Sequence, residues 1–231
     1  MNPLSARDNL ALWERARARH PVDRALLMFA AARPGVPWPE LADAPLGARD
    51  AALLALRCAQ FGAQLEATAD CPHCAERLSF GLDLQALRLP AAPVEAVEVQ
   101  GRQLRLPSSR DLAAVAHAAD AGEAVRGLLA RCGLGEAAAT LPDDALAGFD
   151  AALAAADPQA DLSLALGCEA CGRSFEADLD PAALLWQDVE RLARRTLQDV
   201  DTLARAYGWS EEQILALAPP RRAAYVELAT R

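Results

Sequence analysis

Two Cys-x-x-Cys pairs, Cys71–Cys74 and Cys168–Cys171, constrain this chain more than any other feature. Each pair stands at the crest of a segment that alternates apolar and polar residues. Leu65, Ala67 and Ala69 lead into Cys71, and Leu78, Phe80, Leu82 and Leu84 lead away. Leu162, Leu164 and Leu166 lead into Cys168, and Phe175, Ala177 and Leu179 lead out of Cys171. Alternation of this kind on both sides of a tight turn reads as strand, knuckle, strand. Placing Cys71 on Cys168 brings Leu65 onto Leu162, Ala67 onto Leu164, Ala69 onto Leu166, Leu78 onto Phe175 and Leu82 onto Leu179. A whole supersecondary unit is therefore repeated. A knuckle directs both of its sulfurs to one side, so two knuckles offer four thiolates, a set that suits tetrahedral zinc at about 2.3 Å per bond. Neither two-stranded hairpin is stable alone. The metal is expected to join them around residues 75–167 and to contribute folding free energy. With Cys71, Cys74, Cys168 and Cys171 all as ligands, no position stays open for a water molecule, and the expected Zn2+ is structural.

The rival reading is thiol redox chemistry, because Cys71-Pro-His-Cys74 resembles the active-site motif of some disulfide oxidoreductases. Such a motif needs a helix start behind it to lower the thiol pKa. Here Leu78-Ser-Phe80-Gly-Leu82 alternates like a strand, and redox chemistry leaves the second pair unexplained. An iron–sulfur centre and labile disulfides are further readings. His73 is expected as a solvated knuckle residue, and Cys58 and Cys132 as buried free thiols on apolar helix faces.

Around the knuckles the pattern is helical. Residues 5–20 read as a helix with Leu10, Trp13 and Ala16 inward, interrupted by Pro21. A second helix, 22–32, carries Leu26, Leu27 and Phe29. Arg33 to Pro39 holds three prolines and reads as irregular. A third helix, 47–61, offers Leu53, Leu54, Leu56 and Cys58 to a core. A hairpin is expected from Val94 to Val99, through a Gln100-Gly101 turn, to Leu104 and Leu106. Ser108 can cap the next helix with Asp111 at its third position. Two or three alanine-rich helices then fill residues 109–155, broken at Gly133-Leu-Gly135 and restarted near Pro142. Asp180-Pro181 is a helix start, and the stripe Leu185, Val189, Leu192, Thr196, Val200, Leu203, Tyr207 predicts one long helix, ended by Gly208. Ser210 and Gln213 form a capping box, and Pro219 opens the last helix.

Charge and composition narrow the function. The net charge of -9 opposes nucleic acid as the main partner and opposes an anionic membrane surface. No apolar run approaches the roughly 20 residues of a membrane span. The polar N-terminus does not read as a signal peptide, so a cytoplasmic start is expected, where a Cys-x-x-Cys pair points to metal or redox chemistry. The chain has no lysine, all 23 basic residues are arginine, and much of the 53% hydrophobic content is alanine, a codon bias of a high-GC bacterial genome. There is no phosphate loop, nucleophile elbow or second metal pattern. His20 is expected as a helix cap, His117 as a surface residue on a helix, and Asp143, Asp144, Glu211 and Glu212 as helix N-terminal charges. These readings predict a protein that is not an enzyme.

The last third carries a resemblance. Asp180-Pro-Ala-Ala-Leu-Leu-Trp186, Asp199-Val-Asp-Thr-Leu-Ala204, Tyr207-Gly-Trp-Ser-Glu211, Ile214-Leu-Ala-Leu217 and Arg221-Arg222-Ala-Ala-Tyr225 follow one another. This series resembles the tail of the T-even phage baseplate hub assembly protein family, which has relatives in contractile injection systems. Leu46-Gly-Ala-Arg49-Asp50, Phe61-Gly62 before the first knuckle, and the second knuckle before Asp180 are similar too. The likeness covers most of the chain and is weakest in the alanine-rich middle. It implies a baseplate component or assembly factor, present in the bacterial cytoplasm during assembly or in the particle. The implied partners are other baseplate or hub proteins, with no membrane and no small-molecule substrate. Trp209, Arg221, Arg222 and Tyr225 are the candidate contact residues by type, although Tyr207 and Trp209 also suit packing of a corner.

The expected fold class is α+β, mainly α-helical. It has an N-terminal helical region (1–62), a composite zinc-ribbon-like module (63–84 with 161–180), an inserted β-hairpin with helices (85–160), and a C-terminal helical region (181–231). The last comprises a long helix and a helix-turn-helix corner, and the four parts are expected to form one compact unit. Two other readings stand beside the baseplate component: a zinc-ribbon adaptor in a nucleic-acid process, and a thiol oxidoreductase.

Overall fold

Several helices of this chain start at side chains that accept the first free backbone N–H groups. The Ser5 hydroxyl accepts from the Asp8 N–H at 3.1 Å and opens α1 (Ala6–Ala16). His20 Nδ1 accepts from the Val22 N–H at 3.3 Å and opens α2 (Pro21–Ala32). The computed structural model describes residues 3–89 and 96–231. There α3 (Trp38–Asp43) and α4 (Leu46–Phe61) lead into β1 (Gln64–Asp70) and β2 (Arg77–Asp83). A second hairpin, β3 (Ala96–Val99) and β4 (Arg102–Arg105), precedes α5 (Ser109–Val115), α6 (Ala121–Leu129) and α7 (Asp143–Ala156). The third hairpin, β5 (Ser163–Gly167) and β6 (Ser174–Asp178), leads into α8 (Pro181–Tyr207), α9 (Glu211–Leu215) and α10 (Pro219–Ala229). Among the described residues the chain is mainly helical with three small antiparallel sheets, an α+β composition.

Several expectations needed correction. The first helix ends at Ala16, because the residue before a proline is pushed out of helical geometry and His20 must serve as the cap of α2. The proline-rich segment is not wholly irregular. Residues 38–43 are helical, with Pro39 in the first turn, where its missing N–H has no partner to lose. Val94, at the start of the expected middle hairpin, lies outside the described residues, and the strand is described from Ala96. His117 sits in the turn after α5 instead of on a helix, and is exposed as expected. Cys58 is half-buried, whereas Cys132 is buried. Tyr207, the last member of the α8 stripe, is 40% exposed, because α8 leaves the core before its end.

Two apolar clusters organise the described residues. In the larger, Leu12, Leu26, Phe29, Leu53, Leu185 and Val189 bring α1, α2, α4 and α8 together. Each such side chain, fully buried, contributes about 1.5–3 kcal/mol. In the smaller, Leu104, Leu129, Phe149 and Leu153 join β4, α6 and α7. Between α6 and α7 lies a kinked wide turn, Ala130–Leu134, in which Gly133 has φ +146°. A Cβ at Gly133 would stand 2.5 Å from the Gln103 carbonyl oxygen, so the close approach of this turn to β4 requires glycine.

Polar contacts connect the two clusters. Asp157 Oδ2 accepts from the Gly47 N–H at 2.8 Å at the start of α4. Arg49 of α4 donates to Asp50 at 2.7 Å and to Ser109 at 3.3 Å. Burial pushes the Asp50 carboxyl above its ordinary range, against the attraction of Arg49.

Candidate metal centre

The two knuckles are built alike, hydrogen bond for hydrogen bond. The Cys71 N–H donates to Glu76 O at 2.8 Å, and the Cys168 N–H donates to Arg173 O at 2.9 Å. Within each turn, the Ala75 N–H donates to Cys71 O at 2.9 Å, and the Gly172 N–H donates to Cys168 O at 2.8 Å. The residue after the second cysteine is left-handed both times: Ala75 at φ +61° and Gly172 at φ +71°. Below the knuckles the strands pair so that the alternating apolar residues face one another. Ala69 faces Leu78, Ala67 faces Phe80 and Leu65 faces Leu82 in one hairpin. Leu166 faces Phe175 and Leu164 faces Ala177 in the other.

These equivalent turns bring Cys71, Cys74, Cys168 and Cys171 together, with all four sulfurs within 4.8 Å of one another. Two of the close contacts cross from knuckle to knuckle. Cys71 Sγ lies 3.8 Å from Cys171 Sγ, and Cys74 Sγ lies 3.6 Å from Cys168 Sγ. Four sulfurs about 2.3 Å from a central tetrahedral ion stand ~3.8 Å apart along each edge. The two crossing contacts match that edge, so the set could hold a metal ion, and all four cysteines are free thiols. The first cysteine of each knuckle is buried, Cys71 and Cys168 each at 2% exposure, while Cys74 and Cys171 face outward. His73 is exposed on the crest.

The thiols do not ionise alike. Desolvation opposes the Cys71 thiolate, but backbone N–H groups of His73 and Cys74, with neighbouring thiols, outweigh it and bring its pKa down to about 6. At Cys74 a backbone hydrogen bond from Glu76 favours the thiolate, yet desolvation and the other sulfurs push the thiol up to about 12. Cys171 is also raised, by desolvation and its neighbours against the Arg173 backbone N–H. A cation among the four sulfurs would favour the thiolate form of each of them. Compared with known protein families, curated proteins and solved structures, the chain matches none.

The roots of the knuckle hairpins depend on a residue pair that the sequence did not reveal. Arg57, buried on α4, donates to Asp188 Oδ2 of α8 at 3.0 Å. Its Nη1 donates to Gly62 O at 2.6 Å and to Gln64 O at 3.4 Å, where β1 begins. One guanidinium thus fixes the helix entering the first hairpin, the strand itself and the helix leaving the third. No local signal marks a pair separated by 131 positions. An arginine on the apolar face of a predicted helix was the available hint.

The C-terminal candidates divide. Tyr207 and Trp209 stack with ring centres 4.8 Å apart, and Tyr225 meets Trp209 edge-on at 4.9 Å, so the aromatic residues pack the corner between α8 and α10. Arg221 lies over the Tyr225 ring at 5.8 Å and is exposed. Arg222, named with them as a contact residue, is only 6% exposed. Its Nε donates to Asp199 Oδ2 of α8 at 3.1 Å, because α10 turns this position inward. The two other histidines lie near each other on the surface, His20 and His117, with ring centres 6.2 Å apart. Among the described residues, no helix is long and apolar enough to cross a membrane.

Proposed function

We propose that this chain is a non-enzymatic structural component or assembly factor of a contractile, phage-tail-like baseplate, held in shape by one structural zinc ion on Cys71, Cys74, Cys168 and Cys171. The observation that carries the structural part is the four-sulfur cluster, with spacing that fits a tetrahedral ion and a full set of protein ligands. Zinc is the ion most suited to four thiolates in paired, ribbon-like knuckles. The baseplate part rests on the resemblance of residues 180–225 to the hub assembly family. Its partners on this reading are other baseplate proteins.

A lowered Cys71 thiol also suits a nucleophile, but strands follow both knuckles where a redox site needs a helix start. A zinc-ribbon adaptor for nucleic acid remains the alternative that the knuckles suggest, and the charge of -9 opposes it. Elemental analysis of purified protein tests the metal, with about one zinc per chain expected. Metal-free protein of unchanged stability sinks the structural role. Insulin reduction by metal-free protein favours the oxidoreductase, and salt-sensitive binding of DNA or RNA favours the adaptor. Co-purification with the products of neighbouring genes tests the assembly role, and a locus without sheath, tube or spike genes counts against it.

A further inference from the structure

The charge of the chain is unevenly distributed. Residues 1–39 carry six arginines against Asp8, Glu14 and Asp23, a balance of +3 in a chain of -9, which leaves -12 for the remainder. Four of these arginines lie around the junction of α1 and α2, and two of them have internal roles. Arg17 covers the Trp13 ring at 5.0 Å. Arg24 covers the Trp186 ring at 4.9 Å and donates to Ala16 O and Arg17 O. Arg15 and Arg19 are exposed and, among the described residues, their guanidinium groups have no carboxylate partner.

Both line a cavity of about 350 Å³ together with Asp23, Leu27 and Trp38. Trp38 is 47% exposed on α3. Pro37 caps that helix and Pro39 sits in its first turn, so the indole is presented from a corner with little backbone freedom. A tryptophan and two unpaired arginines around a half-buried leucine form a surface that contributes strongly to binding when covered. Ordering such a corner costs little on binding, because the prolines have already fixed it.

We infer that this cavity docks an acidic segment of a partner protein that carries an apolar or aromatic side chain. The two guanidinium groups match carboxylates, which they can grip with paired hydrogen bonds. Trp38 and Leu27 receive the apolar side chain. Asp23, which also lines the cavity, disfavours a continuous line of phosphates, and the acidic remainder of the protein repels a long polyanion. A short acidic peptide avoids that repulsion. The inference deepens the protein-partner reading and rests on it, naming a surface and the chemistry of its occupant. The cysteine cluster takes no part.

Fluorescence anisotropy on full-length, zinc-loaded protein tests it. The probes are a short labelled peptide with glutamates flanking a central Leu-Phe, its glutamine counterpart, and oligothymidylate of similar length. The glutamate peptide should bind and weaken as salt rises. Arg15→Gln with Arg19→Gln should weaken it about 10-fold or more. Trp38→Ala should cost about 10-fold while Trp38→Phe keeps most of the affinity. Circular dichroism and zinc content should stay at the wild-type values in each variant. Equal binding of the glutamine peptide, or variants that bind like wild type, overturns the docking site. Tighter binding of oligothymidylate replaces it with a nucleic-acid surface. A complex with neighbouring baseplate products that forms and survives the double substitution also overturns the docking site, but leaves the assembly role standing. If the acidic peptide binds and no such complex forms, the assembly role fails instead.

Discussion

Ala75 and Gly172 occupy the same place in the two knuckles, and exchanging them measures what the left-handed turn costs. Ala75 holds φ +61° and Gly172 holds φ +71°, and a Cβ at Gly172 would meet nothing within 4 Å. Backbone strain is therefore the only native-state difference between alanine and glycine at Gly172. Left-handed geometry costs an L-residue about 1–2 kcal/mol. Glycine returns about 0.4–1 kcal/mol of that through its freer unfolded chain. Ala75→Gly should accordingly stabilise the protein by about 0.5–1 kcal/mol, Gly172→Ala should destabilise it by a similar amount, and the double exchange should lie near zero. Denaturant unfolding at buffered free zinc reads this as midpoint shifts of opposite sign. On the reading that zinc orders the two knuckles, its apparent affinity should move with knuckle stability, by a factor of about 2–5 in each direction. Shifts of the same sign would refute the equivalence of the two turns. No shift in either variant would mean that the left-handed residue does not set knuckle geometry.

Other substitutions examine other parts of the argument. Cys168→Ser should lower zinc content and stability as much as Cys71→Ser, and loss from the first pair alone would dismiss a shared centre. Arg57→Ala leaves Asp188 buried beside only the exposed Arg191, and should cost about 3 kcal/mol or more in denaturant unfolding. An effect under about 1 kcal/mol would place that pair among ordinary surface bridges. Asp111 is desolvated, yet hydrogen bonds from Arg105 and Ser108 hold its carboxyl well below the usual range. Its contribution is present above the unfolded value of about 3.9 and is lost as pH falls toward the lower folded one. Asp111→Asn should therefore be less stable than wild type at neutral pH, with the gap closing below pH ~4, when unfolding midpoints of the two are compared. Gly133→Ala, with its Cβ 2.5 Å from Gln103 O, should cost about 2 kcal/mol or more, measured by thermal unfolding.

The features legible in the sequence act over short distances. The strands around Cys71 and Cys168 follow from alternation, and the caps at Ser108, Asp180 and Ser210 from residue type and spacing. The clustering of the four cysteines followed from the repeated unit. The crossed closeness of Cys71 to Cys171 and of Cys74 to Cys168 did not, because it depends on how one hairpin is turned against the other. Arg57 with Asp188, Gly47 with Asp157 and Arg222 with Asp199 were equally hidden. Buried charge contradicts composition rules unless its partner is known, and the partners lie far along the chain. The Trp38 helix was missed because three prolines read as a breaker, although a proline in a first helical turn breaks nothing.

The Arg57–Asp188 pair bears on what a chelator would do. A cross-link across a loop of about 100 residues can in principle remove ~4.7 kcal/mol of chain entropy from the unfolded state. Residues 75–167 form such a loop, but α4 and α8 already pack together at its base, with Arg57 bound to Asp188 between them. Most of the loop is thus closed by contacts other than the sulfurs, and an ion bound there would order two short arms beyond a junction that has contacts of its own. Chelation should therefore fray the hairpins and leave the α4–α8 junction folded. Losing the metal would make the protein blunt at one end without dismantling it.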